Sequence, residues 1–132
     1  MPDKPPTEDT PLAGKRLLVV EDEFLIALDI ERMLEAAGAT AIASAAQVAE
    51  ALAMLDKDAP FDAVVLDLKL DRESSLPVAE WLMNAGIPFV FLTGAPTEAN
   101  ETSRFGNAPV VAKPFDSAAL IAALTLIMST RR

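Results

Sequence analysis

Four short apolar runs that stop at polar residues constrain this chain more than any other feature. Lys15–Val20 is followed by Glu21 and Asp22, Ala63–Leu66 by Asp67, Pro88–Leu92 by Thr93, and Pro109–Ala112 by Lys113. Such runs read as strands buried on both faces. Between them the apolar residues recur at helical spacing. Ile26, Ile30, Met33 or Leu34, and Ala37 mark a first helix stopped by Gly38, and Val48, Ala51, Leu52 and Leu55 mark a second, ended before Pro60. Ala39–Ser44 reads as a weaker strand between the two helices, judged by its context. A polar loop, Lys69–Ser75, leads to a third helix around Pro77–Ala85, closed by Gly86. Gly94–Ala108 is polar and poorly periodic, so a fourth helix there is expected to be short or mobile. Leu120, Leu124 and Ile127 carry a last helix. Strand and helix alternating five times imply an α/β fold, a doubly wound parallel sheet covered on both faces through right-handed crossovers.

A chain of 132 residues fits one domain with its own core, and 52% hydrophobic residues make it globular rather than disordered. Residues 1–13 read as a flexible, proline-rich tail and 14–132 as the single domain. Neither cysteine nor histidine is present. That excludes disulfides, thiolate and imidazole metal sites, and Ser-His or Cys-His nucleophiles. A bound metal must be held by oxygen, as magnesium, calcium and manganese are. A net charge of −9 argues against nucleic-acid partners. No apolar run is long enough to span a membrane, and the N-terminus carries no secretion signal, so a cytoplasmic location is expected.

Parallel strands end on one sheet edge, so Glu21, Asp22, Asp67, Thr93 and Lys113 should converge there. Three carboxylates in one place repel one another unless a hard dication compensates them. A carboxylate can also attack phosphorus, and Asp67, after the most apolar run, is the best-placed nucleophile. Lys113 and the Thr93 hydroxyl would then neutralise phosphoryl oxygens beside the metal. Each residue has a plainer reading by itself. Glu21 and Asp22 would suit the start of a helix, Asp67 a solvated loop, Thr93 a turn and Lys113 the surface. All five standing at strand ends favours the joint reading. Glu23 reads as a solvated first-turn residue and Trp81 as packing for the third helix.

Val19-Val20-Glu21-Asp22-Glu23, Val64-Val65-Leu66-Asp67-Leu68, Phe91-Leu92-Thr93-Gly94 and Ala112-Lys113-Pro114-Phe115 together resemble the receiver domain of two-component response regulators, over nearly the whole ordered chain. The resemblance implies a flavodoxin-like (βα)5 fold with strand order 2-1-3-4-5. It implies that Asp67 takes a phosphoryl group from a histidine kinase or a histidine phosphotransfer protein. Magnesium (Mg2+) would be held by Glu21, Asp22, Asp67 and the backbone carbonyl of Lys69, and Thr93 and Lys113 would sense the phosphoryl group. The Lys113–Pro114 bond is commonly cis in the family.

The chain departs from the family pattern in places. Val110 stands where the family usually has an aromatic switch residue, and Asp71-Arg72-Glu73-Ser74-Ser75 replaces the usual Pro-Gly pair after the phosphoacceptor. Phe91-x-Thr93-Gly94 looks like a receiver subgroup named for its Phe-Ala-Thr-Gly-Gly/Tyr motif (FATGUY), often stand-alone, although Leu92 and Ala95 differ from that motif. With Lys69 and Ala95 flanking the site, neither neighbour readily places a hydrolytic water, and slow self-dephosphorylation is expected. The leading expectation is a response regulator that signals by phosphorylation-dependent binding to a protein target and is not itself an enzyme. A phosphorelay intermediate or phosphate sink, and a degenerate receiver acting as a constitutive binding module, stand beside it. A magnesium-dependent phosphatase is disfavoured, because Lys69 occupies the position of its general acid.

Overall fold

The computed structural model describes residues 7, 9–57, 60–71, 73–94, 102–106, 108–114 and 116–129. Its elements follow in the order β1 (Arg16–Val20), α1 (Phe24–Ala36), β2 (Ala41–Ala45), α2 (Val48–Lys57), β3 (Ala63–Asp67), β4 (Lys69–Leu70), β5 (Glu73–Ser74), α3 (Leu76–Ala85), β6 (Phe89–Thr93), β7 (Val110–Ala112) and α4 (Ser117–Ser129). Five strands form one parallel sheet in the order β2-β1-β3-β6-β7. Counting only its members, that is the order 2-1-3-4-5 expected above.

Alternation along the strands explains why both faces are covered. Leu18, Val20, Val64, Leu66, Phe89 and Phe91 point to one side and pack with Ala51 and Leu55 of α2 and Val78 and Leu82 of α3. Leu17, Val19, Val65, Val90 and Leu92 point to the other and meet Ile30 and Leu34 of α1 and Leu120, Leu124 and Ile127 of α4. β3 and β6 are buried along their whole length, so Asp67 and Thr93 leave the sheet from its middle.

One expectation is corrected. The stretch after Asp67 is not a simple polar loop: β4 and β5 pair antiparallel as a small hairpin, and Leu70 is buried beneath it. The alternation there is too short to register as a strand pattern. Leu12 is fully buried in the cluster under α1 and α4, and its N–H donates to the Ala37 carbonyl at 2.9 Å. Of the stretch expected to hold a short fourth helix, residues 102–105 form a 3-10 turn, while 95–101 and 107 lie outside the described residues.

Candidate functional site

Glu21 follows β1 directly, its N–H donating to the Ala45 carbonyl of β2 at 3.0 Å. The register therefore keeps it at the sheet edge. Asp67 is the last residue of β3 and sits opposite Leu92, one residue before Thr93. Thr93 closes β6, and its carbonyl accepts the Lys113 N–H at 2.7 Å. Four elements far apart in sequence thus end at one edge of the sheet.

Glu21, Asp67 and Thr93 are buried, Asp22 is half-buried, and Lys113 keeps part of its side chain in solvent. Glu21, Asp22 and Asp67 each place a carboxylate oxygen within 4.8 Å of the others. Lys113 Nζ donates to Glu21 Oε1 and to Asp67 Oδ2, both at 3.0 Å. The remaining Glu21 oxygen accepts the Glu23 N–H at 3.2 Å, and Asp67 Oδ1 accepts the Lys69 N–H at 3.3 Å. Lys113 and Pro114 are joined by a cis peptide bond.

The electrostatics follow from crowding and burial. Glu21 is pushed up from 4.5 to about 7, first by burial, then by the hydrogen bond and charge of Asp67, with the Glu23 amide and Lys113 pulling the other way. Burial alone would lower Lys113, but its bonds to Asp67 and Glu21 outweigh that and raise it above 10.5. One ammonium serving two carboxylates leaves negative charge in surplus, and a set of carboxylate oxygens this close suits a hard dication.

The plainer readings fare differently. α1 has Glu23 as its N-cap with no side-chain capping bond and no acid in its first turn, so Glu21 and Asp22 are not helix caps. Glu23 is exposed, and Trp81 of α3 packs against the core. Val110 is 40% exposed on β7. An aromatic cluster lies instead under β6. Phe91, two residues before Thr93, meets Phe105 edge-on at 5.6 Å, and Phe89 joins them at 5.3 and 6.1 Å. Arg104 lies over Phe105 and pairs with Glu80 of α3. Phe105 escaped the sequence reading because it sits in a stretch without periodicity. Ala95 lies outside the described residues.

Residues 17–125 match the family described as the response regulator receiver domain. The chain is 33% identical to the transcriptional regulatory protein PdtaR of Mycobacterium tuberculosis over 96% of its own length and 63% of PdtaR's. It therefore spans less than two thirds of that curated relative. SdrG from Sphingomonas melonis is 40% identical, with a TM-score of 0.71 over 86% of this chain and 97% of that one. The anti-anti-sigma factor PhyR from Bartonella quintana is 28% identical, with a TM-score of 0.72 over 87% of this chain and 48% of PhyR.

Proposed function

This chain belongs to the response regulator receiver family, and from that premise we propose that it accepts a phosphoryl group on Asp67 and signals by binding a protein partner. The observation that carries the reading is Lys113 bonded to both Glu21 and Asp67 within a cluster of three carboxylates. The residues fit magnesium. Glu21, Asp22 and Asp67 would hold it with carboxylate oxygens and Lys69 with its backbone carbonyl. When bound, the metal supplies charge neutralisation for a phosphoryl oxygen.

In the transfer, an Asp67 carboxylate oxygen bonds to phosphorus while the P–N bond of the donor's phosphohistidine breaks. Imidazole departs and Asp67 becomes an acyl phosphate. Lys113 compensates charge at both stages: it holds Glu21 and Asp67 together beforehand and offers its ammonium to a phosphoryl oxygen afterwards. Thr93, buried at the end of β6, presents its hydroxyl to another oxygen. The chain donates no proton to a substrate and turns none over, so it acts as a phosphoacceptor rather than an enzyme.

The output runs through the region beyond Gly94. Val110 has no ring to move, whereas Phe91 and Phe105 link the Thr93 strand to the 102–105 turn. Phe91-x-Thr93-Gly94 supports placing the chain in the FATGUY subgroup. Output through a protein rather than DNA agrees with the net charge of −9 and with the likeness to a protein described as an anti-anti-sigma factor. Among the described residues no helix is long and apolar enough to cross a membrane, and the proposed phosphodonor, a histidine kinase or phosphotransfer protein, would be met in the cytoplasm.

Phosphotransfer profiling against a panel of autophosphorylated histidine kinases tests the reading. One kinase should load the chain fastest and fail with Asp67→Asn. Equal loading of Asp67→Asn would remove the assigned nucleophile.

A further inference from the structure

The hairpin after Asp67 is closed at its base and pinned at its far end. Ser75, fully buried, donates both its Oγ–H, at 2.9 Å, and its N–H, at 3.2 Å, to the Leu68 carbonyl. Lys69 then pairs with Ser74, and Leu70 with Glu73. Beyond that pairing, Glu73 Oε1 accepts the N–H of Val48, the first residue of α2, at 2.7 Å. This amide is one that a helix N-terminus leaves without an internal partner, and a carboxylate suits it in charge as well. The pin therefore joins two elements 25 residues apart.

We propose that Glu73 is a positioning residue for the metal site, holding the hairpin against α2 so that the Lys69 backbone is fixed. The inference rests on the receiver reading, in which the Lys69 carbonyl coordinates magnesium. Lys69 also donates its N–H to Asp67 Oδ1 at 3.3 Å, so its backbone lies directly beside the acidic cluster. The hairpin carries the constraint: fixing Glu73 fixes Leu70 opposite, and with it the neighbouring Lys69. Leu70, Asp71 and Glu73 also line, with Asp22 and the residues before α2, a polar cavity of about 550 Å³. The pinned hairpin is thus one wall of a space that Asp22, a member of the acidic cluster, also lines.

Titration calorimetry with Mg2+ alone, on the full chain, tests this. Partners that orient metal ligands are typically worth 10- to 100-fold in affinity, and Glu73 acts one step further out, so Glu73→Ala should weaken Mg2+ binding about fivefold. Glu73→Gln keeps an oxygen acceptor for the Val48 N–H and should stay within about twofold of the unsubstituted chain. An unchanged affinity in Glu73→Ala would overturn the inference, whatever its effect on stability. An equal loss in Glu73→Gln would overturn it too, since the charge of Glu73 and not the pin would then be responsible. If the unsubstituted chain bound no Mg2+, the metal-assisted phosphoacceptor reading would fail and the inference with it.

Discussion

Lys113 reaches Asp67 across 46 residues of sequence, its Nζ 3.0 Å from Oδ2, and the same ammonium holds Glu21 at the same distance. Two buried carboxylates thus share one cation. Removing that cation leaves them uncompensated. Lys113→Met should therefore cost the metal-free protein about 2–3 kcal/mol. Urea unfolding with and without Mg2+ checks this, and the deficit should shrink when the metal is present.

Glu21 sets a pH dependence of opposite sign to that of an ordinary ion-paired acid. Its folded value of about 7 lies above the unfolded 4.5, so between those values the folded protein holds a proton that the unfolded chain has released. The stability contributed by this group falls as pH rises through that window. Lys113, raised above 10.5, contributes fully below that value and loses its contribution as pH climbs from there through the folded one. Unfolding of the metal-free protein across the window, compared with Glu21→Gln, should show the substituted chain gaining relative stability with pH. By about pH 8 the gain should be on the order of 1 kcal/mol. Glu21→Gln should lose Mg2+ affinity at the same time.

Phe105 offers a test of the output route. It is buried against Phe89 and Phe91, so Phe105→Ala should destabilise the fold by about 3 kcal/mol. Phe105→Leu conserves most of the volume and should cost about 1 kcal/mol. Phosphorylation of Phe105→Leu by a small phosphodonor should be unchanged. The amide shifts that phosphorylation induces in residues 102–106, read by NMR, should be reduced.

Gly38 reports on how firmly the early residues pack. It takes φ of +102°, and a Cβ there would stand 2.8 Å from Thr10 Cβ. Gly38→Ala should cost about 1–3 kcal/mol, measured by urea unfolding, because both the backbone and the Thr10 contact resist it.

The sheet was legible because its strands are apolar on both faces and end abruptly. Those same ends named the residues that converge, since a parallel sheet leaves little freedom in where Asp67 and Lys113 can go. What escaped detection depends on contacts rather than patterns. A two-residue strand such as Glu73–Ser74 has no period to detect, and its pin to Val48 is a tertiary bond. Leu12 lies in a proline-rich stretch of tail-like composition, yet one buried side chain ties it to the core. The Phe91–Phe105 contact required knowing that the 102–105 turn folds back on β6.

The central claim, that Asp67 is a phosphoacceptor served by an oxygen-held metal, is tested most directly by intact-mass spectrometry after incubation with a small phosphodonor and Mg2+. The account predicts a gain of one phosphoryl group that disappears in Asp67→Asn and when the metal is chelated. A gain that persists in Asp67→Asn, or none in the unsubstituted chain with Mg2+ present, would contradict it.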